Sequence, residues 1–320
     1  MTFWQDKTVI VAGGAGFIGQ HLVQALLNAE ARVHVIDDYS TGRALEVQPR
    51  HPQQLTTQRI DICTPAKVPL ADIIYNLASP ASPLHYQSNP IQTWKTNVLG
   101  TLNMLEHALT CGAILVQAST SEVYGDPLSH PQKETDWGNV NPIGPRACYD
   151  ESKRASEALL VDAVRTKDAD IRIARIFNTY GPGMAVSDGR AIPNFAAQAR
   201  AGRPLTVHGD GTQTRSFCHV SDTVDALLRL GVVDAAKGEA VNIGNPTEAT
   251  ILEIAQQVNA HFGNKSEIVL ERRPVDDPQR RCPDISKAEH LLDWTPCIPF
   301  KDGLATIYQA GPANLSLATG

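Results

Sequence analysis

The sequence predicts an α/β chain organised on a doubly wound parallel sheet, completed by a smaller C-terminal domain. Three observations carry this expectation. A short β-branched run passes directly into a glycine-rich turn and an amphipathic helix. Apolar runs of strand length then alternate with helical patterns as far as Phe177. Beyond it the alternation breaks down into glycine- and proline-punctuated segments.

Thr8-Val9-Ile10-Val11-Ala12 has the composition of a strand buried on both faces. It runs into Gly13-Gly14-Ala15-Gly16-Phe17-Ile18-Gly19, a G-x-x-G-x-x-G turn. Gly13 permits the tight turn, Gly16 lets backbone N–H groups approach a pyrophosphate, and Gly19 lets the helix pack against the strand. The N-terminus of the helix then faces the anion, beginning with Phe17 and Ile18. Apolar Ile18, Leu22, Ala25, Leu26 and Ala29 recur at helical spacing, and Arg32-Val33-His34-Val35-Ile36 forms the next strand. Asp37 ends that strand, eighteen residues after Gly19, where a ribose hydroxyl acceptor belongs. The unit is a Rossmann-type dinucleotide site. Asp37 and Asp38 would repel a 2′-phosphate, so NAD is favoured over NADP; Arg43 could attract that phosphate or stand as a solvated loop cation.

Residues 55–61 are the third strand, and Asp61-Ile62 at its end either reach an adenine edge or cap a loop. Residues 72–78 form the fourth, so that Leu77 and Ala78 end it beside the cofactor. The two prolines of Ser79-Pro80-Ala81-Ser82-Pro83 stiffen the loop that follows, at the sheet edge where ligands bind. Pro90 opens a helix to about Cys111, carrying Lys95, Asn97 and Asn103 among apolar residues. Strand five covers 113–119 and delivers Ser119-Thr120-Ser121-Glu122 at its carboxyl end. A polar loop over 126–145 precedes a helix that opens at Arg146-Ala147-Cys148-Tyr149. Strand six covers 171–177. After it come a helix near 193–201, a short strand at 205–208, a helix-cap pair Ser221-Asp222, and a last strand at 240–243 that returns to the first sheet. The segment between is expected to build a lid, and residues 311–320 to be a frayed terminus. The resulting domains are 1–178 with 217–244, and 179–216 with 245–320.

With 320 residues, 42% hydrophobic and 19% charged, the chain can bury a large core. A formal charge of -6 gives no broad basic field, which argues against nucleic acid or an anionic membrane as partner. No apolar run approaches the length of a spanning helix and no signal-like segment precedes the first strand, so the expected compartment is the cytoplasm. The six cysteines follow no metal or disulfide spacing.

Tyr149 and Lys153 are four residues apart and share a helical face. An unperturbed phenol, with a pKa of about 10, needs a nearby cation to act as a base, and Lys153 together with a nicotinamide cation could provide it. Thr120 would hydrogen bond the reacting oxygen, and the trio can take a proton from a carbinol while hydride leaves for NAD.

These residues and their surroundings resemble the extended short-chain dehydrogenase/reductase family, and within it the branch that decarboxylates UDP-glucuronate. The resemblance covers nearly the whole chain. It is most specific in Asn76-Leu77-Ala78-Ser79-Pro80-Ala81-Ser82-Pro83, in 119–127, in Asn141-Pro142-Ile143-Gly144-Pro145-Arg146-Ala147-Cys148-Tyr149-Asp150, in Ala174-Arg175-Ile176-Phe177-Asn178-Thr179, and in 276–285. It implies a closed redox cycle: oxidation of the sugar at C4, loss of CO2 from the β-keto acid, protonation at C5, and return of the hydride to give UDP-xylose, with no metal. By position it implies Thr120, Tyr149 and Lys153 as the redox trio, Glu122 for proton handling and Arg281 for the substrate carboxylate. It also implies Asn178, Arg190, Arg215, Lys95 and Asn103 on the sugar nucleotide, and a homodimer. Glu122 could otherwise be a turn acid, and Arg281 a surface ion pair beside Asp276 and Asp277. Two positions depart from the pattern: Cys282 stands where relatives often carry lysine, and His219 where they often carry tyrosine.

Three other readings share parts of this site. A 4,6-dehydratase would need a carboxylic acid where Ser121 stands. A UDP-glucuronate 4-epimerase shares substrate and first oxidation. A non-catalytic NAD-binding scaffold would need only the glycine turn and Asp37.

Overall fold

The structure, a computed structural model, describes residues 3–309; the terminus at 311–320 expected to fray lies outside them. Its centre is a seven-stranded parallel sheet. The chain begins with β1 (Thr8–Ala12), α1 (Phe17–Asn28) and β2 (Arg32–Asp37), continuing to β3 (Leu55–Arg59) and β4 (Ile73–Asn76). Strand β1 alternates strictly: Val9 and Val11 enter the core on one face, Ile10 and Ala12 the core on the other. Where the sequence predicts a stiff loop, Pro83 instead opens a short helix, α2 (Pro83–Ser88), because proline suits a first helical turn.

The helix expected from Pro90 to Cys111 is divided. α3 (Pro90–Lys95) and α4 (Thr101–Cys111) are joined through a π-turn at Thr96–Gly100. Gly100 lies so close to Ile62 that a Cβ there would come within 2.5 Å of the isoleucine Cδ1. Next come β5 (Ile114–Thr120), the long α5 (Ala147–Lys167) and β6 (Ile171–Ile176).

After β6 the chain leaves the sheet, and the irregular lid of the sequence reading resolves into paired strands. β7 (Thr179–Tyr180), α6 (Ala191–Arg200), β8 (Leu205–His208), β9 (Thr214–Ser216) and β10 (Cys218–His219) follow in order. α7 (Val220–Val232) then leads back to β11 (Ala240–Ile243) beside β6, giving the sheet order β11-β6-β5-β4-β1-β2-β3. The chain then goes out again through β12 (Glu248–Thr250), α8 (Ile251–His261), β13 (Ile268–Glu271), α9 (Ser286–Leu292) and α10 (Phe300–Leu304). β7 pairs with β10, β8 with β13, and β9 with β12.

Ser221 and Asp222 do not cap α7. The cap is His219, whose ring accepts from the Ser221 N–H, because the chain turns into the helix one step earlier. Asp222 instead accepts from Ile298 N at 3.0 Å and ties the C-terminal segment to α7. α8 has a full capping box, Thr250 with Glu253. One core packs α1, α7 and α9 on one sheet face, a second packs α4 and α5 on the other, and a third joins α6, α8 and β8. No described helix is long and apolar enough to cross a membrane.

Candidate active site

Between the carboxyl edge of the sheet and the paired strands lies a cleft with a cavity volume of about 620 Å³. Its floor at one end is the glycine turn. Gly13 has φ +77, and a Cβ there would meet Ala78 N at 2.7 Å; a Cβ on Gly19 would meet Gly13 O at 2.2 Å. α1 begins at Gly16 with no side-chain cap and no acid in its first turn. Phe17, Ile18 and Gly19 therefore present first-turn N–H groups to the cleft they line, which is the donor set a pyrophosphate requires. Asp37 braces this turn, accepting from Ala15 N at 2.9 Å and Tyr39 N at 2.8 Å. Its burial raises its pKa against those two bonds. Leu77 lines the cleft as well. These residues fit NAD.

Asp61 and Ile62 do not line the cleft. Asp61 closes a turn by accepting from Cys63 N at 2.8 Å, the loop-cap alternative, and Ile62 belongs to the second core. Lys95 is exposed on α3, outside the cleft lining. Asn103 is also outside, its Nδ2 donating to Ile62 O at 2.7 Å to fasten α4 to that loop. In both cases a plausible polar residue on a helix faces away from the sheet edge.

The redox trio does converge. Thr120 ends β5 and its hydroxyl accepts from Glu122 N at 3.2 Å, starting the 3-10 turn Ser121–Tyr124. Tyr149, in the first turn of α5, stacks on Tyr86 of α2 with centroids 4.9 Å apart and planes 9° from parallel. Lys153 Nζ lies 5.8 Å from the Tyr149 ring centroid but donates to Ala118 O at 2.9 Å. Burial pushes the Tyr149 phenol up to about 12, and a hydrogen bond from Thr120 opposes this. Burial also lowers Lys153 to about 8. In the chain alone burial dominates the state of the phenol, and Lys153 is anchored to a carbonyl on the strand beside it.

Glu122 is neither a turn acid nor a free proton donor. Its Oε1 and Oε2 accept from Arg281 Nη1 and Nη2, each at 2.6 Å, and Oε1 also meets Arg146 Nη2 at 2.7 Å. Burial alone would raise its pKa, but Arg281 and then Arg146 outweigh that and hold the carboxyl well below its ordinary range. In the free site the Nη1–Nη2 edge of Arg281 is filled by Glu122, so a substrate carboxylate taken on that edge must displace it. Nor is Arg281 a surface pair with Asp276 or Asp277, since it is buried. Asp277 pairs with Arg215 at 2.9 Å instead, while Asp276 accepts from Asn141.

Asp150, one residue after Tyr149, is buried 3.9 Å from Arg146 Nε, with its Oδ1 unpartnered. Burial and then the Glu122 charge push its carboxyl up toward the neutral form. Arg190, paired to Asp188, and Arg215 and Asn178 all line the cleft, the last donating weakly to Ser216 O at 3.5 Å. Arg146, Asp150 and Tyr86 were missed as site residues in the sequence. The signal for the first two was their place in the string that ends in Tyr149; for Tyr86 there was none.

Known proteins resemble this arrangement closely. A model of the family described as the NAD dependent epimerase/dehydratase family matches residues 9–244. The chain is 50% identical over 302 residues to UDP-glucuronic acid decarboxylase 3 of Arabidopsis thaliana, covering 93% of this chain and 87% of the relative. An epimerase structure from Methanothermobacter thermautotrophicus superposes with a TM-score of 0.86 at 30% identity, over 95% of this chain and 91% of the other. A variant of UDP-glucuronic acid 4-epimerase from Bacillus cereus, solved with a fluorinated UDP-glucuronic acid and NAD, gives 0.80 at 28% identity, over 94% and 98%.

Proposed function

The chain belongs to the NAD dependent epimerase/dehydratase family, and from that membership and the geometry of the cleft we propose that it decarboxylates UDP-glucuronate to UDP-xylose without net redox. NAD is the cofactor. One observation carries the substrate reading. The cleft wall holds Arg146 and Arg281 against the single anion Glu122, while Asp150 favours its neutral form. That leaves one buried cation in surplus, and a sugar carboxylate is the anion that balances it. The 50% identity to a UDP-glucuronic acid decarboxylase supports the same reading.

In this scheme Tyr149 takes the proton from the C4 hydroxyl, and Thr120 holds that oxygen. Bound NAD supplies the hydride acceptor and, through its positive ring, the charge that favours the phenolate. Lys153, fixed to Ala118 O, steadies the helix face that carries Tyr149. A ketone at C4 stabilises the carbanion left when CO2 departs from C5. Arg281 grips the carboxylate beforehand, and Glu122, ionised, orients the water that gives C5 its replacement proton. Arg215, Arg190 and Asn178 serve the UDP diphosphate. Lys95 and Asn103 have no part in this arrangement. The cofactor portion is 1–178 with 217–244, and the sugar-nucleotide portion 179–216 with 245–320. Six free thiols suit a reducing compartment such as the cytoplasm.

The test is incubation with UDP-glucuronate and a catalytic amount of NAD, following CO2 and product mass. A five-carbon UDP-sugar with CO2 and no stoichiometric NADH is expected; NADH growing in step with substrate loss overturns the closed cycle. The structural likeness to a UDP-glucuronic acid 4-epimerase keeps one rival, whose product would retain six carbons.

A homodimer is also proposed. Ile91, Trp94 and Leu99 expose 65%, 37% and 45% of their surface along the helix run 90–111, next to α5. Light scattering at micromolar concentration should give twice the 34.6 kDa chain mass, and a monomer would contradict it.

A further inference from the structure

Two guanidiniums share Glu122, but they are mounted differently. Arg146 is the residue from which α5 starts, and its Nε is buried without a hydrogen-bond partner, 3.9 Å from Asp150. Arg281 lies in the irregular chain between β13 and α9. The backbone beside it is clamped by Gln132: Gln132 N donates to Cys282 O at 2.9 Å, and Cys282 N to the Gln132 side chain at 2.8 Å. Its side chain beyond that clamp makes hydrogen bonds to Glu122. Both backbones are thus held, and the two side chains differ in grip: Arg281 forks Glu122, while Arg146 reaches Oε1 through Nη2 alone.

We propose that Arg146 is a positioning residue that keeps Glu122 charge-paired and in place when Arg281 leaves it for the carboxylate of the substrate. This rests on the reading of the substrate as UDP-glucuronate. The Nη1–Nη2 edge of Arg281 is filled by Glu122, so a sugar carboxylate taken on that edge displaces it. If Arg281 were the sole partner of Glu122, its transfer would strand a buried carboxylate, which would have to take up a proton. With Arg146 present each carboxylate keeps a guanidinium: two cations and one anion in the free site become two cations and two anions in the complex. The other groups facing Glu122 do not compete for that charge. Tyr86 from α2 and Tyr149 from α5 are kept as phenols by burial, and Asp150 from α5 is kept toward its neutral form by burial and by Glu122 itself. Arg215 from β9 already has Asp277.

The proton makes the inference measurable without turnover. Calorimetric binding of UDP-glucuronate to the NADH-loaded protein, which cannot oxidise the sugar, in buffers of different ionisation enthalpy between about pH 6 and 8, reports protons taken up. Wild type should take up none. Arg146→Gln should take up about one proton, its affinity falling about tenfold per pH unit. Arg146→Lys, which keeps the charge, should return to none, as should the double variant Glu122→Gln/Arg146→Gln. UDP-glucose, which lacks the carboxylate, should show no uptake in any form. Should Arg146→Gln not fold, Arg146→Met carries the same measurement. Pairing-independent weakening of both nucleotide sugars with no proton uptake would make Arg146 merely structural and overturn the proposal, and so would uptake that persists in the double variant. Wild type binding UDP-glucuronate no better than UDP-glucose would instead defeat the substrate reading, and this inference with it.

Discussion

Tyr149→Phe is expected to lower turnover of UDP-glucuronate by about 10²-fold or more while the fold and the NAD content stay as in wild type. The substitution keeps the ring stacked on Tyr86 and removes only the hydroxyl. What it removes is the phenol hydroxyl hydrogen bonded to Thr120, the group proposed to accept the carbinol proton. The chain by itself holds that phenol at about 12, so its loss costs nothing in the resting site and matters when a positive nicotinamide faces it. Because the base must be deprotonated to act, wild-type turnover should rise with pH through the range in which the phenolate forms in the complex, and the variant should lose that rise. Circular dichroism and cofactor content establish the control, and near-normal turnover in the variant removes Tyr149 from the role of base.

The second large effect is expected at Glu122. Glu122→Gln replaces a carboxylate held by two guanidiniums with a neutral amide of the same shape. Two buried cations are then left facing each other, and an apparent stability loss of about 3–5 kcal/mol is expected in the ligand-free protein, read as a lower unfolding midpoint. The substrate carboxylate relieves that repulsion, so binding and cofactor reduction should be spared more than product formation. Formation of UDP-xylose should fall by about 10²-fold or more, and bound reduced cofactor should accumulate. In deuterated water the wild type should place one deuterium at C5, because a solvent-derived proton replaces the departing carboxylate. An unlabelled six-carbon product as the main species would leave the C4 oxidation standing and make the enzyme an epimerase.

What the sequence determined by itself is everything written in short-range pattern. The alternation of Val9 and Val11 with Ile10 and Ala12, the spacing of Gly13, Gly16 and Gly19, and the acid at Asp37 each depend on neighbours within one unit of strand, turn and helix. The same holds for Tyr149 and Lys153, one helical turn apart. Strand 205–208 and strand 240–243 were legible for the same reason and appear with those bounds. Tertiary structure alone decided where the polar residues of these elements point. Lys95 and Asn103 had suitable chemistry, yet the helices that carry them turn them away from the cleft. The pairings of β7 with β10, β8 with β13 and β9 with β12 join segments far apart in the chain, and no local pattern chooses between partners. Above all, Glu122 meets Arg281 from 159 residues away, and Arg146 only because the end of β5 is brought to the start of α5. Backbone propensity and hydrophobic period act between near neighbours, whereas the state of a buried charge is set by whichever groups the finished fold places around it. That is why the chain announces its cofactor turn and its tyrosine, while the charge balance that selects an anionic sugar emerges only from the assembled cleft.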